Sequence, residues 1–543
     1  MINLDSLTLK LFLEENKDFF IGAKVQKVQQ PNRSELIFTM RNKGESKKFY
    51  INFNPKFYHI CFMSKETEKR RNISIPKTAP MFCMLLRKYI QNAKIINVEI
   101  PKYERIFEIY FEYYDELNEK SQLCLAIELM GKYSNVILYN FDTNVIIGCA
   151  HNVSSEKSRE RELYGMLPYV YPSKQKKKDL LKISYDTFKE NVDIENLSQS
   201  ISTKYHYLTM SLVEDIIQIV KPFSLENLYE KLILFLKQKE YFPHINSDFS
   251  KYYLLEMPNT KEYAGINEMI DEYFSYNQEL FAILNIKSKI IKYISTQLKK
   301  LYSLKLQQEQ QIKKIEKAQN YKNKADILMA NLYSLKQGIK CANLWDFDGN
   351  EIEIELDENL SPTDNANRYY SLYKKMKTAY KHAMEMIEET NSQILYYEEQ
   401  QYFAENINNI DDLNDILFEI TGETQEKNNE PSQIEFVDYA GFKIYIGKNK
   451  KQNDYILSKL SSSEDLWFHP LNAAGAHILI KRNNLKDEIS DNVLLKAAEL
   501  TKEYSSQKNN SKTSIIYTKR KYVKKANNKL AFVTYKNEVE IVI

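Results

Sequence analysis

The sequence predicts a multidomain α+β protein, and three observations carry that expectation. The chain has 543 residues, more than one ordinary hydrophobic core organises, so several domains are expected. Strand-like runs rich in Ile, Val, Phe and Tyr crowd its first third and return in its last fifth. Between them lie two long stretches whose apolar residues step by three and four.

Residues 1–174 alternate strand-like runs with short polar turns: VQKVQQP, ELIFTMRN, KKFYINFNP, IINVEIP, IFEIYFEYY, LCLAIELMG and NVILYN. APMFCMLLRKYIQNA interrupts them with helical spacing, and Pro80 suits its first turn. This predicts an α/β domain. Lys174, Lys176, Lys177 and Lys178 mark a linker, and residues 175–275 read as a small module of short helices.

Residues 276–420 hold the clearest periodicity. Ile291, Ile294, Leu298, Leu301, Lys305, Gln308, Ile312 and Ile315 form one seam; Tyr369, Tyr373, Met376, Tyr380, Ala383, Ile387, Thr390 and Ile394 form another. Seams this narrow pack on one partner helix, so an antiparallel coiled-coil arm is predicted. Residues 329–365, with the alternating stretch EIEIELD, form a small β-containing unit at its tip. Residues 421–433 are a polar linker. Residues 432–543 predict a second α/β module, with a hairpin turning at Gly441, a helix capped by Ser490 or Asp491, and strands at SIIYT, FVTY and EVEIVI.

Composition excludes more than it selects. Lys plus Arg is 76 against Asp plus Glu 73, a net charge of +3, so any polyanion surface must come from local segregation of charge. The five cysteines are scattered and never in a C-x-x-C pair, which argues against a disulfide scaffold or thiolate zinc site and fits a reducing cytosol. No run reaches the ~18 apolar residues of a membrane span, and the first twenty residues lack a secretory pattern, so a cytoplasmic protein with no membrane partner is expected. The forty tyrosines are ascribed to AT-rich coding.

Four stretches in order resemble the NFACT family: Pro80 to Lys88; Glu128-Leu129-Met130-Gly131-Lys132-Tyr133-Ser134-Asn135; Ala325 to Leu332 with Leu356-Asp357 and Leu360-Ser361-Pro362; and Ile446 to Asp454 with Asp465 to His469 and Gly475-Ala476-His477. The resemblance implies an N-terminal domain similar to that of formamidopyrimidine DNA glycosylase, a helix-hairpin-helix-like module, the arm, and the C-terminal NFACT-R domain. It implies a ribosome quality-control role: binding obstructed large ribosomal subunits, through rRNA and the stalk-base region, while they still carry peptidyl-tRNA. It further implies recruitment of alanyl-tRNA for mRNA-independent alanine tailing, and a small RqcP-like S4-domain protein as a further partner. The chain stops at Ile543 after NFACT-R, as in the bacterial branch.

The resemblance also nominates residues. A tRNA-binding Asp-Arg pair of the family falls on Glu104-Arg105, where glutamate is one methylene longer. A guanidinium fork suits phosphate or a base edge. Glu128, Met130, Gly131, Lys132, Ser134 and Asn135 form the second tRNA-binding candidate, a tight turn being the competing reading. In the last module Lys519, Arg520, Lys521, Lys524 and Lys525 cluster with no acid between them, beside Tyr517 and Tyr522. Lys448, Asn449, Trp467, His469 and His477 complete the RNA- or ribosome-binding candidates. No metal site or cofactor is expected, since the histidines lack further ligands nearby. An enzyme is not expected either: a glycosylase needs a proline amine at its N-terminus, and this chain begins Met1-Ile2-Asn3. Two alternatives stand beside this reading: a fibronectin-binding surface adhesin, and a general RNA-binding protein without tailing activity.

Overall fold

The structure, a computed structural model, describes all residues except 1–3, 72, 115–118, 157, 159, 174, 317, 423–433, 472, 483–487 and 526–532. Lys174, most of the 421–433 linker and the Met1-Ile2-Asn3 terminus therefore lie outside the described residues. The chain is a mixed helix and sheet protein that divides into two compact units, Met1–Phe281 and Ala282–Ile543.

The first unit is built on a nine-stranded antiparallel sheet. Its strands are β1 (Lys24–Asn32), β2 (Glu35–Asn42), β3 (Glu45–Asn52), β4 (His59–Met63), β5 (Lys94–Glu99), β6 (Ile106–Tyr114), β7 (Lys120–Glu128), β8 (Asn135–Asn140) and β9 (Val145–Cys149), in the order β4-β3-β2-β1-β5-β6-β7-β8-β9. Every strand read from the sequence is present; β4 and β9 are additional. So is α1 (Ser6–Phe20), whose Asp5 N-cap accepts from the Thr8 amide at 2.9 Å. α1 buries Phe12 and Phe20 against Phe49, Phe62 and Phe107 of the sheet, and each buried ring contributes about 2–3 kcal/mol. α2 (Lys65–Arg71) follows β4, and α3 (Met81–Ile90) starts directly after Pro80 as predicted.

Four helices follow: α4 (Tyr185–Asn191), α5 (Leu197–Lys204), α6 (Met210–Ile219) and α7 (Leu225–Lys237). Side chains of Ser184, Thr209 and Ser224 cap α4, α6 and α7. The sequence reading missed the small sheet of β10 (His244–Asn246), β11 (Tyr252–Tyr253) and β12 (Thr260–Glu262), whose strands are too short for a visible alternation. Tyr252 donates its hydroxyl to Asp5 at 2.6 Å, joining this sheet to the start of α1.

A continuous helix of 51 residues, α8 (Ile266–Glu316), begins here, and its residues from Ala282 on belong to the second unit. There it meets α10 (Pro362–Asn406) head to tail. Lys287 donates to the Glu405 carbonyl at 2.7 Å, and Tyr302 donates to Glu398 at 2.5 Å. Further along, α9 (Ala318–Ala330) continues the pairing, with Tyr321 stacked on Tyr369 and Tyr370 bonded to Asp326. Ile290, Ile294, Gln308 and Ile312 are buried in the seam, as are Tyr369, Thr390 and Ile394. The seam uses Ile290 where the sequence reading took Ile291, and Tyr380 is 37% exposed. The far end is closed by a hairpin of β13 (Cys341–Trp345) and β14 (Glu351–Glu355), the latter being the predicted EIEIELD stretch.

α11 (Ile410–Thr421) packs with the near end of α10 and with a six-stranded antiparallel sheet. That sheet contains β15 (Glu435–Tyr439), β16 (Phe442–Gly447), β17 (Leu466–Pro470), β18 (His477–Lys481), β19 (Ser514–Lys519) and β22 (Val539–Val542), ordered β15-β16-β18-β17-β19-β22. α12 (Lys450–Tyr455) follows β16, α13 (Asp491–Glu503) covers one face, and β20 (Lys524–Lys525) pairs with β21 (Val533–Thr534). The β15–β16 hairpin turns at Ala440 and Gly441, both at positive φ, a turn whose backbone favours glycine. No helix among the described residues is long and apolar enough to cross a membrane.

Candidate nucleic-acid interface

The two nominated stretches of the first unit lie at one end of the sheet. Antiparallel pairing sets Ile106 opposite Glu128, so the start of β6 and the end of β7 coincide. The Leu129 amide donates to the Arg105 carbonyl at 2.8 Å, extending the ladder one step beyond the strands. The chain then turns through Gly131 at φ +62°, a conformation that L side chains rarely adopt, and starts β8 at Asn135.

These residues border a cleft of about 800 Å3. Arg105, Met130, Lys132 and Tyr133 line it, with Lys132 and Tyr133 exposed. Arg105 Nη1 donates to the Tyr58 hydroxyl at 2.7 Å, which fixes the guanidinium at the cleft wall. Burial pushes the Tyr58 phenol up, against the pull of Arg105, so it stays a neutral partner. Lys177, read from sequence only as linker, stands close enough to matter: burial and then the Arg105 charge lower its pKa. Its ammonium donates to the Ser202 carbonyl at 2.7 Å. Arg105, Lys132 and Arg161 all line the cleft beside the single acid Glu160, a surplus of cations that suits a phosphate.

Three nominated residues are buried. Glu128 is fully buried in an ion pair with Arg161, and Tyr169 donates to it at 2.9 Å. Ser134 accepts from the Met130 amide at 2.9 Å and so pins the turn. Asn135 accepts from the amides of Val136 and His151 and donates to the His151 carbonyl, tying β8 to the end of β9. All three are less than a tenth exposed and shape the turn that presents Met130, Gly131 and Lys132, while Ser134 and Asn135 also form part of the cleft wall. Glu104, beside Arg105, is half-buried at the strand entry.

The C-terminal candidates fare differently. The run of cations without acids in sequence meets acids in space. Lys519 and Lys521 both bond Glu464, at 2.8 and 2.7 Å, and hold its carboxyl at about 2. Lys525 pairs with Asp454 at 3.2 Å. Arg520 spends its guanidinium on the carbonyls of Leu457 and Val523 and on the Ser461 hydroxyl, which makes it an internal clamp. Lys524 remains exposed. Lys448 pairs with Glu435 and lies over the Tyr504 ring. Asn449 is buried as the N-cap of α12, accepting from Gln452 at 2.8 Å.

Trp467 is fully buried and His477 is 4% exposed, so neither reaches a ligand at the surface. They pack edge to face at 5.2 Å between centroids. His469, partly exposed, stacks parallel on Trp467 at 5.6 Å and lies 4.0 Å from Glu399 of α10. The three rings share one face of the sheet, since Trp467 and His469 are two apart on β17 and His477 of β18 packs against both; Trp467 and His477 lie deepest in it.

Comparison with known families decides the assignment. The NFACT N-terminal and middle domains match residues 5–433, and the NFACT protein RNA binding domain matches residues 433–534. The chain belongs to the NFACT family. Among NFACT proteins, it is 26% identical to "Rqc2 homolog RqcH" of Bacillus subtilis, over 96% of this chain and 95% of that one. It is equally similar, at 26%, to "Rqc2 homolog RqcH" of Streptococcus suis, over 95% and 93% of the two chains. The archaeal "Rqc2 homolog aRqcH" of Methanocaldococcus jannaschii is 26% identical over 56% of this chain and 46% of its own. Among solved structures, the fibrinogen binding protein from Staphylococcus aureus is similar at 18% identity and a TM-score of 0.42, covering 50% of this chain and 98% of that one. The N-terminal part of the fibronectin/fibrinogen-binding protein from Streptococcus suis matches at 23% identity and a TM-score of 0.42, over 50% and 99%.

Proposed function

We propose that this NFACT protein is a cytoplasmic ribosome-associated quality-control factor of the kind named RqcH. In this reading it binds large ribosomal subunits obstructed by peptidyl-tRNA, recruits alanyl-tRNA and supports alanine tailing without mRNA. Peptide bonds are made by the ribosome, and the chain itself is no enzyme. Near full-length similarity to two bacterial RqcH proteins supports the role. The observation that carries the tRNA part is the cleft where Arg105, Met130 and Lys132 meet, with Lys177 nearby.

The finer architecture belongs to the same reading. Residues 1–174 act as a glycosylase-like N-domain without glycosylase chemistry, 175–275 as a helix-hairpin-helix-like module, 276–420 as an arm reaching toward the stalk base, and 432–543 as the rRNA-facing NFACT-R domain. A small S4-domain protein is the further partner. Pull-down of the tagged chain, with sequencing of bound tRNA and a check for large subunits, tests this reading. Arg105→Ala is expected to lose tRNA and keep the subunit. Unchanged tRNA recovery, or recovery on the cell surface without subunits, overturns the proposal.

A further inference from the structure

The Pro80 to Lys88 stretch, singled out in the sequence, plays no part in the Arg105 cleft. Its helix α3 instead borders a second cleft of about 790 Å3. Gln30, Arg33, Met81, Leu85, His151 and Asn152 are among its lining residues, and no Asp or Glu is. His151 and Asn152 also line the Arg105 cleft, so the two are neighbours along the β8–β9 edge.

Four features give this cleft a ligand chemistry. No side chain caps the first turn of α3, where Pro80 occupies the N-cap position, so its first-turn amides have no side-chain acceptor there. A helix N-terminus in that condition favours an anion. Gln30 is 4% exposed, yet its carbonyl Oε1 has no hydrogen-bond partner. A buried, unanswered carbonyl oxygen is costly and points to a missing donor. Met81 is 83% exposed, leaving a polarisable thioether free to lie against a flat ring. Arg33 adds an exposed cation. At Gly148 a Cβ would stand 2.7 Å from Leu85 Cδ1, so a larger residue there would require the Leu85 side chain to shift.

We propose that this cleft is a second nucleotide subsite, for an unpaired nucleotide of the same RNA strand that is held at Arg105. The phosphate sits at the first turn of α3 and on Arg33, the base lies against Met81, and the Gln30 carboxamide reads the base edge. Paired carboxamide donor and acceptor groups suit a base edge, and unpaired bases are the parts of RNA that proteins read this way. The proposal rests on the RNA-binding reading above and adds to it a site built by different residues.

The test measures binding of the full chain to a fluorescein-labelled RNA hairpin with an unpaired loop, and to a blunt RNA duplex of equal length. Variants are Met81→Ala and Arg33→Gln, both at exposed side chains, Gln30→Met, which keeps the volume, and Arg105→Ala as reference. Met81→Ala and Gln30→Met are each expected to weaken hairpin binding by roughly 5- to 10-fold, with duplex binding unchanged. Arg33→Gln lowers the salt-dependence slope by about one. A 4-thiouridine in the loop is expected to crosslink to the peptide containing Met81. If Arg105→Ala loses the hairpin while the other three bind normally, the subsite is overturned and the RNA reading stands. If only Arg33→Gln has an effect, the cleft is a bare anion site and the nucleotide subsite is overturned. No hairpin binding by the unsubstituted chain overturns both.

Discussion

Replacing Arg161 by leucine would expose how the tRNA-facing turn is supported. Glu128 is fully buried and Arg161 is 12% exposed at its side chain. Arg161 Nη1 bonds Glu128 Oε1 at 2.8 Å, Nη2 bonds Oε2, and Nη1 also donates to the Val170 carbonyl at 2.8 Å. Without the guanidinium, Glu128 keeps only Tyr169 among these donors. Removing one partner of a buried pair costs about 3–5 kcal/mol. An independent route gives a similar size: Glu128 escapes by taking up a proton, which at pH 7.5 costs about 4 kcal/mol relative to a free glutamate. The second route carries a signature. A buried carboxyl left without its counter-charge favours the protonated form, so the folded variant binds the extra proton and the penalty shrinks as pH falls, to about 1 kcal/mol near pH 5. Glu128→Gln in the same background removes the charge and keeps the Tyr169 bond, so it is expected to recover most of the loss. Hydrogen exchange of the amides from residue 128 to 135 is the right assay, because a two-unit chain has no single unfolding free energy. A penalty that is the same at pH 5 and 7.5, and that Glu128→Gln leaves untouched, refutes the reasoning.

Three further outcomes are expected. Glu464→Gln frees Lys519 and Lys521, so nonspecific RNA binding should strengthen and its salt slope steepen by about two, measured by titration at several ionic strengths. Burial, and then the His469 charge, hold the His477 pKa well below 6.5, so the unfolded chain takes up this proton first. The stability of the second unit is then complete above about pH 6.5 and declines below it, by at most about 1.4 kcal/mol per pH unit, and His477→Gln should flatten that decline in thermal melts. Gly131→Ala places a Cβ at φ +62° and should destabilise the turn by about 1 kcal/mol, seen as faster exchange at residues 130 to 134.

Much of the fold was legible because its signals are local. Seven strands of the first sheet, α3 and the arm helices follow from alternation and from three-four spacing, which depend only on near neighbours along the chain. α1 is capped by Asp5 but hides its helical period, because Leu7, Leu9, Leu11 and Leu13 alternate as in a strand. β4 and β10 to β12 were too short to show a period. The candidate site divides along the same line. Arg105 and the 130–132 turn converge because hairpin pairing of β6 and β7 is itself a near-neighbour relation. The ion pairs of the 519–525 run could not be read from the chain, because Glu464 and Asp454 are brought in by the fold, which no window of sequence contains. Lys177 was missed for the same reason: its proximity to Arg105 arises only once the chain folds back past the sheet.

The tyrosines bear on the charge balance. The chain has 40 of them and only 11 arginines. Tyr110, Tyr139 and Tyr171 all direct their hydroxyls at the buried Glu108, whose pKa is raised by burial. The equally buried Asp271 is held by the Ser64 amide and the Cys61 thiol. Phenols, amides and thiols neutralise nothing; they solvate an acid without consuming a cation. Burial favours the protonated form of such an acid. Wherever one is protonated, a polyanion approaching from solvent meets a molecule more positive than its formal +3, with one lysine left without its counterweight.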